Sequence, residues 1–423
     1  MKKILNFSEQ VFTVVSLLHY TGAILALILS GGLSEGDQVV APHDHPLIQL
    51  FFFINYLISF FLLVLRWKKL IRVISQDRYI TILLGLCAIS SLWSVAPTTT
   101  LVRSVAIIGN SLFGIYFATR YSLKQQLRLL SWTFGIAIVL SLLFVVGLPK
   151  YGIMSGLHAG TWRGIYTHKN VLGKVMILSS IVFLLTSLNE RKNKFLLWGG
   201  FVFSIILLLM TKSSSSLINF IIIMTILLIL RTLRLRYLLL FPVLSFLAIV
   251  GEFFYLWLVA NTETILSSMS KTSDLSGRGP LWDAVLDMIW QRPWLGYGFS
   301  VFWKSSDAPA TTVWSIVGWE APNAHNGLLD LWLDLGLLGL TIFLIGLLAN
   351  LVKGLALIRK SRTAESFWPV IYMIYFLLSN QTESALLRQN EIYWLLYVTV
   401  VIFLLIPQEK STTRIIQVST SSY

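Results

Sequence analysis

The sequence predicts an all-α, polytopic membrane protein of about twelve transmembrane helices, with one long external loop that contains short amphipathic helices. Composition is the first reason. Of 423 residues, 56% are hydrophobic and 12% are charged, about half the charged share of a soluble protein, and the mean hydropathy is +0.76. The second reason is length. Apolar runs recur near the ~20 residues that a helix needs to cross hydrocarbon. The third is charge placement. Basic residues gather in the short segments between those runs, as in a polytopic chain whose loops set its orientation. The net charge of +14 is therefore read as topology and not as a nucleic-acid surface.

Taken in order, the apolar runs place spans at 11–31, 47–65, 79–95, 101–119, 128–148, 170–188, 195–212, 217–231, 237–260, 327–350, 367–383 and 389–406. The first follows Met1-Lys2-Lys3 and is too long for a signal-peptide core, so it is read as a retained span. Alternate connections collect Arg66, Lys68, Lys69, Arg72 and Arg78, then Arg120, Lys124 and Arg128, then Arg191, Lys192 and Lys194, then Arg231, Arg234 and Arg236, then Lys353, Arg359, Lys360 and Arg362. All share a side with Lys2 and Lys3, which positive-inside charge assigns to the cytoplasm. The chain thus divides into spans one to nine (1–260), a long external loop (261–326), spans ten to twelve (327–406) and a cytoplasmic, disordered tail (407–423) with both termini inside.

Several chemistries have little support. One cysteine, Cys87, cannot make an internal disulfide and is read as packing. Six histidines are scattered without HExxH spacing. Their one cluster, His43-Asp44-His45, is read as solvated loop, so no metal site is expected.

The long loop concentrates the polar chemistry. Gly279-Pro280 suits a helix start. From Pro280 to Trp290, the residues Leu281, Trp282, Val285, Met288 and Ile289 share one helical face opposite Asp283 and Asp287. Trp282 and its aromatic neighbours suit either the headgroup boundary or sugar stacking. Arg278 precedes this helix. A guanidinium there grips phosphate oxygens in pairs or snorkels to headgroups. His325, in Asn323-Ala324-His325-Asn326, is either a base that titrates near neutral pH or part of a helix-start cluster around Asn326.

A second external segment, Gly160–Asn170, holds Arg163, His168 and Lys169. Basic residues are scarce on the outer side, so this cluster is read as functional. Arg103, Asn380, Gln381, Glu383 and Arg388 lie near the outer ends of spans, where polar groups face a cavity or pair with each other. Glu252, within the ninth span, belongs with them.

These residues fall in stretches that carry a resemblance: Gly164-Ile165-Tyr166-Thr167-His168-Lys169-Asn170-Val171-Leu172-Gly173, Ser276-Gly277-Arg278, Trp294-Leu295-Gly296-Tyr297-Gly298, Ala324-His325-Asn326 and Asp334-Leu335-Gly336-Leu337-Leu338-Gly339. In order and placement the chain resembles the O-antigen ligase and Wzy-type polysaccharide polymerase superfamily, including exopolysaccharide polymerases. The resemblance implies a GT-C-like, metal-independent, inverting glycosyltransferase of the bacterial inner membrane, without a cofactor. Its donor would be a glycan on undecaprenyl pyrophosphate and its acceptor a glycan hydroxyl. Lipid A core or another anchor is the acceptor in the ligase alternative. The catalytic histidine of the family falls on His325. Its pyrophosphate-binding arginines fall on Arg163 and Arg278, with Lys169 as a further cation. Arg103, His168, Asn170, Trp282, Asn326 and Glu383 become candidate substrate contacts. A flippase and a chain-length regulator would be the implied protein partners. A flippase or transporter of lipid-linked oligosaccharide is the alternative of another class.

Overall fold

The computed structural model describes residues 2–31, 45–190, 192–233, 278–304, 309–361 and 363–406. Its helices are α1 (Lys2–Tyr20), α2 (Leu25–Leu29), α3 (Pro46–Val64), α4 (Trp67–Gln76), α5 (Tyr79–Ile89), α6 (Pro97–Arg120), α7 (Leu123–Gly147), the single turn α8 (Pro149–Gly152), α9 (Lys169–Asn189), α10 (Lys194–Met210), α11 (Ser214–Leu233), α12 (Arg278–Gln291), α13 (Ala310–Val317), α14 (Gly327–Lys360), α15 (Trp368–Ser379) and α16 (Ile392–Leu405). Six described helices are long and apolar enough to cross a membrane: α3, α6, α7, α9, α11 and α14. Four shorter apolar helices fall on other expected spans, two of them including an adjoining 3-10 turn. The expected ninth span, 237–260, with Glu252, lies outside the described residues, as do 261–277 and the tail from 407.

Local chemistry starts the helices where the sequence changes character. Proline opens α3 and α6, where a missing N–H costs no hydrogen bond. The His45 Nδ1 accepts from the Leu47 N–H (3.3 Å) at the start of α3. At α7, the Gln125 side chain accepts from the Ser122 N–H (3.0 Å). The first expected span is broken. After α1 the chain turns through Ile24 at φ 63 before α2 resumes.

The two ends of the bundle gather different groups. At one end Glu9 pairs with Arg66 (2.6 Å) and with Arg120, Lys124 lies 3.6 Å from Glu190, and Asn189 bonds Glu365. Segments expected on one side of the membrane are thus brought physically together. The connections expected on the opposite side meet at the other end. Ile165 accepts from the Ile24 N–H (2.8 Å), Met210 from the Trp162 N–H (3.1 Å), and Tyr297 from the Val95 N–H (3.1 Å).

The interior is one continuous apolar core centred on α9, α6, α15 and α16. The α6–α16 contact is close because Gly114 has no side chain. A Cβ there would stand 2.8 Å from the Leu395 carbonyl oxygen. Trp394 Nε1 donates to Ser111 Oγ (2.9 Å) and Thr399 Oγ1 to the Gly114 carbonyl (3.2 Å) across the same seam, the small-residue and hydroxyl packing that serves helices in lipid. The last two helices are shorter than the expected spans 367–383 and 389–406. The helices reach only ~18 Å and ~21 Å at 1.5 Å per residue, because residues 380–391 unwind into a loop between them. Irregular backbone at such depth is tolerated where protein surrounds it. Here the buried Asn380 supplies the missing bonds: its Oδ1 accepts from the Ala385 and Leu386 N–H groups (both 2.8 Å), and its Nδ2 donates to the Phe376 carbonyl (2.7 Å).

The described part of the long loop has its own apolar core. Leu281, Val285, Met288 and Ile289 of α12 are buried with Tyr297, Phe302, Val313 and Leu333, while Asp283 and Asp287 are exposed. The amphipathic helix expected over 280–290 is therefore present, and its apolar face packs on protein.

Candidate active site

The loop is fastened to the bundle at a break in α14. Gly336 takes φ 66, ψ −171 inside that helix. The interruption frees backbone groups, and residues 293–298 bond them. The Leu333 and Asp334 carbonyls accept from the N–H groups of Tyr297 (2.8 Å) and Gly298 (3.0 Å). In return the Leu337 and Leu338 N–H groups donate to the carbonyls of Pro293 (2.7 Å) and Trp294 (3.3 Å). Trp93 Nε1 adds a bond to the Leu295 carbonyl (2.9 Å) and Trp332 Nε1 one to Pro293 (3.0 Å). Two of the glycine-rich stretches singled out in the sequence thus dock on each other.

This anchorage positions His325. Asn326 caps α14, its Oδ1 accepting from the N–H groups of Leu328 (3.0 Å) and Leu329 (3.4 Å). Just before the cap His325 turns left-handed, φ 50. Its N–H donates to Asn323 Oδ1 (2.8 Å). The preceding residue is pinned on both sides: the Ala324 N–H donates to Asp330 Oδ1 (3.0 Å) and its carbonyl accepts from Trp282 Nε1 (2.9 Å). Asp330 Oδ1 also accepts from Trp303 Nε1 (2.8 Å). The Trp319 ring lies 6.1 Å from the imidazole, centroid to centroid.

Glu383 reaches this place from the 380–391 loop. Its neighbour Ser384 donates to Asn323 Oδ1 (3.3 Å) and bonds Asp330 Oδ2, so the two loops are joined beside His325. The carboxylate itself is held from α9. Asn170 Nδ2 donates to Oε1 (3.2 Å) and Lys174 Nζ lies 3.5 Å from Oε2. Burial alone would raise the Glu383 pKa. The positive charge of Lys174, the imidazoles of His325 and His168 and the Asn170 hydrogen bond outweigh it, and hold the group below its ordinary value. Glu383 is therefore an anion at neutral pH. The Lys174 side chain, 12% exposed, also lies over the Tyr393 ring at 5.3 Å. His168 caps α9, its Nδ1 accepting from the Asn170 N–H (3.2 Å), and Lys169 is the first residue of that helix.

The other candidates occupy different places. Arg163 is fully buried. Its guanidinium donates to the carbonyls of Tyr151 (2.7 Å), Lys150 (3.1 Å) and Thr167 (3.5 Å), tying α8 to the segment that presents His168 and Lys169. Arg163→Lys is expected to destabilise this segment, because one ammonium cannot reproduce a planar fork across three carbonyls. The expected cost is about 1–3 kcal/mol, read as faster proteolysis between 150 and 168. Arg103 Nη1 donates to Ser300 Oγ (3.2 Å), below the turn that follows Gly298, and Glu383 pairs with Lys174. Arg278 is the first residue of α12. The position of its side chain, like Ser276-Gly277 and His43-Asp44, lies outside the described residues. Among the described residues, no group of three or more His, Cys, Asp or Glu side chains is arranged to hold a metal ion.

Three participants are additional to the sequence reading: Lys174, Asp330 and Ser384. Lys174 had a signal, being a lysine inside an apolar run four residues after Asn170 and so on the same helical face. Asp330 likewise follows Asn326 by four.

Comparison with known proteins is consistent with this geometry. No curated protein matches the chain. Residues 199–344 match the family model described as O-antigen ligase. The matched region includes most of α10, α11, the docked loop with Arg278 and His325, and the broken start of α14. Over this region, about a third of the chain, the protein is similar to the O-antigen ligase family.

Proposed function

We propose that the protein is a membrane glycosyltransferase that joins glycan units carried on undecaprenyl pyrophosphate to an acceptor sugar hydroxyl, on the outer face of the bacterial inner membrane. The observation that carries the reading is the joining of the His325 turn to the Glu383 loop through Asn323 and Ser384, with Glu383 held by Asn170 and Lys174, at the loop end of an apolar bundle.

In the proposed reaction the acceptor hydroxyl oxygen attacks the anomeric carbon of the donor. A carbon–oxygen bond forms there as the bond to pyrophosphate breaks, and direct attack inverts the centre. His325 takes the hydroxyl proton. Undecaprenyl pyrophosphate leaves, with its growing charge met by Lys169 and by Arg278 at the start of α12. In this reading Arg163 shapes the platform for His168 and Lys169, and acts on the pyrophosphate through that platform. Trp282 and Asn326 hold the His325 turn, and Asn170 ties Glu383 to α9. Arg103 supports the Ser300 turn beneath the loop. Apolar helices offer the polyprenyl tail a surface, so lipid and sugar binding position the reacting atoms. The chemistry assigned to these side chains includes no metal step and no cofactor.

The lipid-linked repeat is the proposed acceptor, which makes the enzyme a surface or exopolysaccharide polymerase working beside a flippase and a chain-length regulator. Transfer to lipid A core would make it a ligase. The test is where lipid-linked glycan collects when His325 is replaced by alanine. Accumulation on the outer face, with loss of polymer, supports the transferase. Accumulation on the inner face sinks it in favour of a transporter. Short glycan still attached to lipid A core, with the polymer lost, would select the polymerase over the ligase.

A further inference from the structure

The proposed base sits within an ordered set of charges. His325 approaches from the long loop, Glu383 from the 380–391 loop and Lys174 from α9. Titratable or charged groups near this junction include His168, Lys169 and Lys174 at the start of α9, Glu383, Arg388 and Glu391 in the 380–391 loop, Asp330 and Asp334 on α14, Tyr375 on α15, Tyr393 on α16, and Glu320 before the His325 turn. Asp330 is committed to neutral donors: the Ala324 N–H and Trp303 Nε1 on Oδ1, and Ser384 on Oδ2. Glu383 pairs with the Lys174 ammonium (3.5 Å), and its neighbour Ser384 is joined to the His325 turn through Asn323. The Ser384–Asn323–His325 hydrogen bonds join the two loops through the Ser384 hydroxyl and the His325 N–H, so the closeness of the two segments is built into the fold.

We propose that Glu383 and Lys174 act as a positioning pair for His325: the carboxylate orients the imidazole and stabilises the imidazolium formed when it accepts a proton, while Lys174 moderates that stabilisation. The inference rests on the transferase reading. Two opposed charges a few ångströms apart give the site a means of setting the strength of its base. Burial magnifies both effects, because water screens partly buried charges less. Asn170 holds the carboxylate from α9 without contributing charge.

The pair makes a prediction with two signs. The base must be unprotonated to act, so kcat/KM falls on the acid side as His325 takes a proton. Glu383→Gln removes the negative partner, weakens the base, and should move this acid limb about one unit lower in pH. Lys174→Met removes the positive charge and leaves Glu383 unopposed, which should move the same limb higher. Glu383→Asp should return the limb toward that of the parent enzyme.

The assay uses the full chain in lipid nanodiscs and, as donor, the lipid-linked glycan isolated from cells carrying His325→Ala. Opposite displacements in the two variants support the pair. Displacement in one direction, or slower rates with an unmoved limb, overturns it. A raised KM with an unmoved limb in Lys174→Met would instead assign Lys174 to the donor phosphates and also overturn it. Should Glu383→Gln fail to fold, Lys174→Met decides the matter: a limb moved higher supports the pair and an unmoved limb rejects it. Failure of the underlying reading is distinguishable, since active His325→Ala removes the transferase base itself, whereas inactive His325→Ala with unmoved limbs removes only the pair.

Discussion

His325→Ala is expected to lower glycan transfer by about 10²- to 10⁴-fold, the range over which a positioned general base contributes, while the protein remains folded. The imidazole is held at its backbone. The Asn323, Asp330 and Trp282 bonds are made by main-chain groups of residues 324 and 325, or by neighbouring side chains, and alanine preserves them. The positive φ of His325 adds a small strain for any non-glycine residue, already present in the parent. The measurement is polymer formed per folded protein, after matching size-exclusion profiles. Transfer within a factor of two of the parent would remove His325 from the chemistry. His325→Gln keeps a polar side chain without a neutral-pH base, and should be nearly as inactive. Recovery in that variant would point to hydrogen bonding in place of proton transfer.

Gly336→Ala is expected to prevent accumulation of folded protein. The residue adopts φ 66, ψ −171, a region that side-chain-bearing residues essentially do not occupy, at a cost of about 1–3 kcal/mol. A Cβ would also stand 2.1 Å from the Trp294 carbonyl oxygen, a backbone atom with no freedom to swing away. Relief requires separating residues 293–298 from α14. That breaks the four backbone bonds across the α14 interruption, each contributing about 1 kcal/mol, and exposes the loop core. The check is the yield of monodisperse protein in detergent and its susceptibility to protease across 278–326. Gly85→Ala is the control. It lies in the interior of α5 with nothing within 4 Å of a Cβ, and should be neutral or stabilising by about 1 kcal/mol. Equal loss in both variants would show that the α14 break has no special role.

Different parts of the molecule were legible to different degrees. The apolar helices and the face of α12 could be read from hydropathy and periodicity, because lipid and core packing both select side chains one residue at a time. The grouping of Glu9 with Arg66 and Arg120 follows the side assigned to each loop by charge alone. The first expected span ends differently because Ile24 interrupts a run that remains apolar on either side, and the eleventh and twelfth are shorter because the polar residues 380–383 and 389–391 lie in the loop between the helices. Hydropathy averages over such a residue. The interruption depends on which backbone groups find partners.

The same division runs through the site. His325, His168, Asn170 and Glu383 stood out as polar residues beside apolar segments. Lys174 did not, because a lone lysine in an apolar run has meaning only once its partner is known. Glu383 is 209 residues away in the chain.

By itself the sequence determined that this chain is helical, crosses a membrane many times, and concentrates its polar chemistry at one end. Those properties follow from local composition, since hydrocarbon penalises every unsatisfied polar group wherever it occurs. Only the tertiary structure decided that α14 breaks at Gly336 to receive the loop, that Arg163 binds carbonyls within its own segment, and that Lys174 is the partner of Glu383. Each is a pairing between groups distant along the chain or folded back in three dimensions. Such pairings are set by distance and direction in space, which composition does not encode.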